Sequence, residues 1–323
     1  MKARPEVSVV VGVRDGAQHL AASLESVLCQ EGVELELIVV DDGSTDETAR
    51  ILEELAAADP RIRPFRTKPK GLTAALLFGC LQARAPFLAR QDVGDLSRPG
   101  RLKAQVDILR HEPSVVLVSG RTDRYGPLGE WLGTERGSGL EDRPVELFAR
   151  WPRLRVVAGP TSHGSAMFRR EAYEAVGGYR AAFYLGQDWD LWQRLGLRGL
   201  YYQIGASIYS RRLFLESLSG QFRRFQRRFG RLSLASARCL ATGKSDEAIL
   251  RRAERLSERV RRIATSPSNA EGRADMAYFL AAMLSEQSPT AARRYLEEAI
   301  ALRPLRIKPR LRRWLLRAGE EKG

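Results

Sequence analysis

The chain has 323 residues, 44% of them hydrophobic, and a formal net charge of +14. That length exceeds a typical single domain and that apolar share supports a real core, so one large domain plus an appendage is expected rather than a disordered chain. Three cysteines (Cys29, Cys80, Cys239) lie far apart and form no C-x-x-C pair, and no apolar run of about 18 residues exists. Neither a disulfide framework, a zinc site nor a spanning helix is therefore expected. Met1–Glu6 leads straight into a strand without a signal-like apolar stretch, so the expected location is the cytosol.

Val7–Val13 (V-S-V-V-V-G-V) reads as a buried strand. Arg14-Asp15-Gly16 then turns into a helix whose Leu20, Leu24, Val27 and Leu28 share one face. Leu35–Val40 is a second apolar run of strand length. It ends in Asp41 and Asp42, and Gly43 permits a tight turn. Ser44 with Glu47 reads as a capping box opening a helix over Thr45–Leu55. Ligands of open α/β sheets bind just past the carboxyl ends of strands, where paired acids suit a hydroxyl or ring N–H. Capping the helix is the plainer role, and one acid would suffice for it.

A short strand near Ile62–Arg66, a helix over Gly71–Gln82 and a strand over Pro86–Arg90 follow, the last ending in Gln91-Asp92-Val93-Gly94-Asp95. A helix from about Pro99 to His111 and a strand over Val115–Ser119 complete the alternation. This pattern means a mostly parallel sheet with helices on both faces. Gly120–Trp151 is rich in Gly and charge and reads as loops near a site mouth. Ser165–Arg169 and Tyr201–Tyr209 read as strands, with a helix seeded by Asp188 between them. Everything after Leu213 is helical in pattern, and the positive excess lies entirely beyond Gly205. The expected division is an α/β domain over residues 1–212 and a basic helical region over 213–323.

Six segments appear in one order: V-S-V-V-V-G-V-R-D-G, I-V-V-D-D-G-S-T-D, A-R-Q-D-V-G-D-L-S-R-P-G-R-L, H-G-S-A-M-F-R-R, G-G-Y and Q-D-W-D-L-W-Q-R-L. Over about residues 6–219 the chain closely resembles family 2 glycosyltransferases with the GT-A fold. The resemblance implies a Rossmann-like nucleotide-diphospho-sugar transferase domain, its first half binding the donor and its second half the acceptor. It further implies that Gly12, Val13 and Arg14 line the nucleotide base, that Asp42 with Asp41 alongside binds base or ribose, and that Asp188 is the catalytic base of an inverting transfer. Gln187 stands where the family usually has Glu. His163, in H-G-S-A-M for the family's H-P-S-V-M, would contact diphosphate or acceptor, or serve structure alone. Arg212 matches an arginine after the last strand, and Phe214 stands where a companion histidine is usual.

The family's acidic motif usually reads D-A-D-D, and its third position most often ligates the metal that bridges the donor diphosphate. Here the four positions are Asp92, Val93, Gly94 and Asp95. The implied Mg²⁺ or Mn²⁺ site therefore rests on Asp92 and Asp95, or its task passes to basic residues. Lys68 and Lys70 are further candidates for phosphate, although Pro69 replaces the family's usual Asn. Asp190 has Arg194 at i+4, so an intrahelical pair accounts for it. Trp189 and Trp192 suit either a sugar face or the core.

Leu218, Phe222, Phe225, Phe229 and Leu232 keep helical spacing with arginines between them. They form either a membrane-surface helix or an amphipathic helix packed on the catalytic domain. Ala274–Leu284 and Ala291–Ala301 resemble one tetratricopeptide-like hairpin, and Arg306–Arg317 is again basic. The expected partners are a nucleotide-sugar donor, UDP-sugar favoured, and a saccharide or lipid-linked acceptor. Peripheral membrane contact through 213–232 or 305–317 is compatible with a cytoplasmic chain at the inner membrane face. No nucleic-acid motif accompanies the basic tail. The expected process is surface or extracellular polysaccharide or glycolipid synthesis. The alternative is a catalytically impaired nucleotide-sugar-binding or scaffold protein of the same fold.

Overall fold

The structure, a computed structural model, describes residues 4–137, 139–149, 155–215, 222–264, 270–305, 307–310 and 312. Alternation of strand and helix begins as the apolar runs require. β1 (Val7–Val13), β2 (Leu35–Asp41), β3 (Ile62–Arg66) and β4 (Phe87–Arg90) pair in parallel in the order β3-β2-β1-β4. The helices between them are α1 (Ala17–Leu28), α2 (Thr48–Ala58) and α3 (Leu72–Gln82).

Beyond β4 the sheet changes character. After β5 (Leu96–Ser97) and α4 (Arg101–His111) come β6 (Val115–Tyr125), β7 (Trp131–Glu135), β8 (Pro144–Val145), β9 (Phe148–Ala149) and β10 (Arg155–Val156). β11 (Met167–Arg169), preceded by a 3₁₀ turn at His163–Ser165, inserts between β4 and β6 antiparallel to both. α5 (Arg170–Ala175) and α6 (Gln187–Leu195) lead to β12 (Leu200–Arg212), which pairs antiparallel with β5 and β8. The sheet is thus parallel in its first half and mixed in its second.

Strand alternation sends Val7, Val9, Val11 and Val13 with Leu37 and Val39 to one face, against Leu20 and Leu24 of α1, Leu52 of α2 and Leu102 and Val106 of α4. Val10, Ile38 and Val40 go to the other face, against Ala75 and Leu76 of α3 and Leu191 and Leu195 of α6. Each such burial is worth about 1.5–3 kcal/mol. The two-sided core can therefore hold the buried carboxylates Asp41 and Asp42 at the end of β2.

Several boundaries differ from the sequence reading. α2 starts at Thr48, not Thr45, and the Ser44–Glu47 capping box does not form. Asp46 instead accepts from the Thr48 N–H at 3.0 Å, and Ser44 Oγ accepts from the Asp15 N–H at 2.9 Å. The inter-loop bond outcompetes the local cap. The fifth long strand runs on to Tyr125, and the region read as loops holds three short strands (β7, β8 and β9), because cross-strand pairing overrides its Gly-rich composition. Ser165 belongs to the 3₁₀ turn rather than to a strand.

Contacts divide the chain into two compact units. The first comprises Met1–Asp123, Thr134–Arg211 and Phe229–Ser257, and the second Arg124–Gly133, Arg212–Arg228 and Glu258–Gly323. One border falls beside residue 212, but the first unit also takes Phe229–Ser257 from the tail. α7 (Arg223–Ala241) and α8 (Glu247–Ala264) both contribute to that segment. Phe229 is fully buried with its ring centroid 6.0 Å from that of Phe183. Phe222, in the second unit, is also buried, and along α7 Arg224, Arg227, Arg228 and Arg231 are exposed. Packing claims these two phenylalanines, so they are not free to enter a bilayer. Leu218 lies outside the described residues, as do all of 313–323 and, before them, Arg306 and Leu311.

α9 (Ala270–Leu284) and α10 (Pro289–Leu302) form the expected hairpin, with Ala277, Leu280, Ala281 and Leu284 buried against Tyr295 and Leu296. Among the described residues no helix is long and apolar enough to cross a membrane.

Candidate active site

Loops at the carboxyl ends of β1, β2 and β4 lie together, as parallel pairing demands. β1 ends in Gly12 and Val13, where the Val13 carbonyl accepts the Asp42 N–H at 2.8 Å. A Cβ on Gly12 would come within 2.8 Å of Leu72 Cδ1, so this position also lets α3 close on β1. Arg14 is half-exposed and 3.7 Å from Asp15. The two loops are laced further by the Asp15 carboxylate, which accepts the Thr45 N–H at 2.7 Å.

The two acids after β2 have different surroundings. Asp42 is buried and accepts the Lys70 N–H at 2.8 Å and the Gly71 N–H at 2.7 Å, which fixes the loop before α3. It is the backbone of Lys70, rather than its ammonium, that meets the site. Asp41 accepts the Ser44 N–H at 2.8 Å through Oδ1, across the turn that Gly43 makes at φ 71°. Its Oδ2 is buried without a hydrogen-bond partner, 3.5 Å from Arg66 Nε. Asp41 is thus the acid with an unspent acceptor. Pro69 packs on Gly43, where a Cβ would lie 2.7 Å from its ring.

At the end of β4, Arg90 is fully buried and donates from Nη2 to Asp92 Oδ1 at 2.6 Å. A second buried arginine, Arg101, donates to the Arg90 carbonyl and the Ser97 hydroxyl, both at 2.7 Å, and lies 5.0 Å from the Tyr209 ring centroid. Burial pushes the Arg101 guanidinium down to about 10. The Asp92 N–H donates to the Tyr209 hydroxyl at 3.2 Å. Gly164, in the 3₁₀ turn, makes room for that phenol: a Cβ there would meet its oxygen at 1.9 Å. Burial alone would raise the Asp92 carboxyl, but the charge of Arg90 above all, with Arg211 and Arg101 adding, holds it below the usual carboxylate range.

Asp188 stands in the first turn of α6, and its Oδ1 accepts the Trp189 N–H at 2.9 Å. Burial pushes this carboxyl up to about 6. The Asp92 charge adds to the rise, against the Trp189 hydrogen bond and Arg211. The raised value suits proton uptake near neutral pH. His163 Nε2 is 2.7 Å from the Tyr179 hydroxyl. Burial, reinforced by Arg90 and Arg211, pushes its imidazole down to about 3, so the ring is neutral. Asp92, His163 and Asp188 thus share one field, in which Arg211 is the strand-end cation; Arg212 is the next residue.

Asp190, two residues on, has a structural task. It is 1% exposed and binds Arg194 at 2.5 Å and Arg180, which also reaches Asp246 at 2.5 Å. The i+4 pairing read from sequence is present; the Arg180 link is not a local pattern.

The residues present make a thin cation site. Asp92 keeps Oδ2 without a hydrogen bond among the described residues. Asp95 is only 5% exposed, its carbonyl accepting from Ser23 Oγ at 2.9 Å and Gln91 Nε2 at 2.8 Å. Gly94 sits at φ 98°, a left-handed backbone that disfavours the carboxylate usual there. Among the described residues no group of three or more His, Cys, Asp or Glu is arranged to hold a metal. Asp92 is the residue that would hold a divalent ion, which would supply charge neutralisation beside it.

Arg90, Arg101 and Tyr209 were not singled out from sequence. The R-P-G-R run carries Arg101, but nothing local marks it as buried. The chain is 35% identical to the putative glycosyltransferase EpsE of Bacillus subtilis over 65% of this chain and 73% of that protein. It is 26% identical to a chondroitin synthase of Escherichia coli over 68% of this chain, which spans only 30% of the synthase. Its fold is similar to the crystal structure of residues 1–349 of S. aureus TarS, with a TM-score of 0.57 and 15% identity over 93% of this chain and 81% of that one. The same protein in complex with UDP gives a TM-score of 0.54 at 16% identity, over 95% of this chain and 88% of that one. The sequence profile of Glycosyl transferase family 2 matches residues 8–177, and the chain, with its GT-A α/β domain, belongs to that family of glycosyltransferases.

Proposed function

We propose that the chain transfers a glycosyl group from a nucleoside-diphosphate sugar to an acceptor hydroxyl with inversion at the anomeric carbon. The observation that carries this reading is Asp188, a carboxyl raised to about 6 in the same field as Asp92, His163 and Arg211. The nucleoside lies against Gly12–Arg14 and the Asp41/Asp42 pair, whose Asp41 Oδ2 has an unspent acceptor for a ribose hydroxyl or ring N–H. UDP is the favoured nucleotide, supported by the UDP complex of TarS.

In the reaction, Asp188 takes the acceptor's hydroxyl proton as the oxygen attacks the anomeric carbon from the face opposite the phosphate. The bond from that carbon to the phosphate oxygen breaks, and its electron pair leaves with the nucleoside diphosphate. Arg211 faces the negative charge that develops, and neutral His163, held by Tyr179, offers a hydrogen bond without a second charge. A divalent ion, when bound at Asp92, would neutralise the leaving diphosphate for several kcal/mol.

The acceptor is a saccharide or lipid-linked saccharide of surface polysaccharide or glycolipid synthesis, a reading that the name of the similar chondroitin synthase supports. The exposed arginines of α7 would add electrostatic contact with an anionic membrane at the inner face. Gly94 favours a second reading, a binding protein of the same fold without transfer. The deciding experiment incubates the full chain with UDP-, GDP- and dTDP-sugars and candidate glycan acceptors, and reads the product's anomeric configuration by NMR. An inverted glycoside is expected. A retained configuration overturns the mechanism; UDP binding without hydrolysis or transfer establishes the second reading.

A further inference from the structure

The turn Gly177-Gly178-Tyr179 follows α5 and delivers one phenol to His163. Gly178 takes φ 65°, and a Cβ there would lie 2.7 Å from the Tyr173 hydroxyl oxygen. That close approach lets the Tyr173 hydroxyl accept the Tyr179 N–H at 3.2 Å. The Tyr179 ring packs steeply inclined against those of Tyr173 and His163, at centroid distances of 5.7 and 5.8 Å. His163 meets Trp192 in the same way at 6.0 Å. These contacts and the hydrogen bond at Nε2 together fix the plane of the imidazole. Tyr179 is 2% exposed, and its hydroxyl has His163 Nε2 as its one partner among the described residues. Burial raises this phenol well above its ordinary range, so it keeps its proton. His163 is only partly buried. Its Nδ1 has no hydrogen bond among the described residues and is not one of the side-chain atoms sealed from solvent.

We propose that Tyr179 is a positioning residue that sets the tautomer of His163, so that the imidazole offers an N–H at Nδ1 to a phosphate oxygen of the donor. The proposal rests on the transferase reading above and names the side chain that decides what His163 presents. A phenol has one proton to donate, and a neutral imidazole has one N–H and one lone pair. With the ring proton on Nε2, that N–H would meet the phenol oxygen and leave the buried O–H without an acceptor, a costly outcome. With the ring proton on Nδ1, the phenol donates to the Nε2 lone pair and both groups are satisfied. Burial, reinforced by the charges of Arg90 and Arg211, denies the ring a second proton. One N–H therefore remains, and it sits on the nitrogen left open. The opposite tautomer would set a lone pair, not a donor, against phosphate oxygens.

The test uses the full chain with ¹⁵N-labelled histidine. The chain has three histidines, and the His163 resonances are those lost in His163→Gln. Long-range ¹H–¹⁵N spectra at neutral pH should show a protonated Nδ1 and an unprotonated Nε2. A protonated Nε2, or protons on both nitrogens, overturns the proposal, and this wild-type spectrum decides even where a variant fails to fold. Tyr179→Phe keeps the ring and removes the hydroxyl, so the proton should redistribute towards Nε2. Affinity for whichever of UDP, GDP and dTDP binds the wild type best, read by calorimetry, should fall about tenfold in that variant. Tyr173→Phe releases the Tyr179 N–H but keeps the Tyr179 phenol, so its ring proton should stay on Nδ1. A tautomer that Tyr179→Phe leaves in place, or that Tyr173→Phe moves equally, overturns the positioning role. Unchanged diphosphate affinity in Tyr179→Phe overturns the phosphate contact and the proposal with it. A wild-type chain that binds none of the three diphosphates overturns the transferase reading and the phosphate contact, whatever the tautomer.

Discussion

Asp188 and Asp92 act on one another through charge: the ionised Asp92 helps raise the Asp188 carboxyl to about 6. Asp92 stays ionised because the buried Arg90 guanidinium is 2.6 Å away. One carboxylate is therefore kept charged while the other is poised to gain a proton. Environment, not residue type, separates the two roles.

The first prediction concerns pH. A base works ionised, so the transfer rate at saturating donor should rise with pH and level off above about 6. Asp92→Asn removes a negative charge facing Asp188, so ionisation becomes easier and the acid limb moves to lower pH. The amplitude falls as well, but the limb's position is independent of it. A pH–rate profile in which the limb of D92N moves upward or stays fixed would refute the coupling.

Asp188→Asn should lower transfer by about 10²–10⁴-fold, the usual range for a lost general base, with UDP affinity retained. It should also stabilise the fold at neutral pH. The carboxyl's folded value of about 6 exceeds its ordinary 3.8, so the native chain binds the extra proton between these values. That contribution is complete below about 3.8 and lost as pH rises through 6. Above 6 an ionised, desolvated carboxylate remains, costing on the order of 1–3 kcal/mol. The Tm of D188N should exceed wild type by several degrees at pH 7.5 and match it near pH 4.

Asp190→Asn, two residues away, should do the opposite. It removes the anion from a buried cluster in which Arg194 and Arg180 are 4% and 16% exposed at their side chains. Breaking one partner of such a pair costs about 3–5 kcal/mol. Tm should fall well below wild type in thermal melts. A D190N chain as stable as wild type would move Asp190 out of the structural role.

Much of this was legible in the sequence because it is local. Three of the four parallel strands, β1, β2 and β4, are mainly apolar runs bounded by turns, and the Asp190–Arg194 pair is an i+4 pattern. The rest depends on distant partners. β11 inserts antiparallel between β4 and β6, a choice made by pairing rather than by its own three residues. Tyr209 meets the Asp92 amide from 117 residues away. The capping box failed because Ser44 found a partner in another loop. The hydrogen bond between His163 and Tyr179 could not be read at all, since neither the H-G-S-A-M nor the G-G-Y segment marks the other as its partner.

The last prediction tests how Gly164 serves Asp92. Gly164 replaces the family's usual proline, and a Cβ at this position would meet the Tyr209 hydroxyl oxygen at 1.9 Å. Tyr209 is fully buried, so it cannot swing aside without disturbing the sheet. Gly164→Ala should displace the phenol, cost about 1–3 kcal/mol of stability as overpacking does, and raise the KM for donor by loosening the Asp92 loop. Tyr209→Phe removes the same hydrogen bond without the clash, so its effect on donor KM should point the same way with a smaller loss of Tm. Because both changes act on one contact, the double variant should raise donor KM little beyond Gly164→Ala alone. Fully additive effects on KM, measured in a double-mutant cycle, would show that Gly164 and Tyr209 reach the site by separate routes.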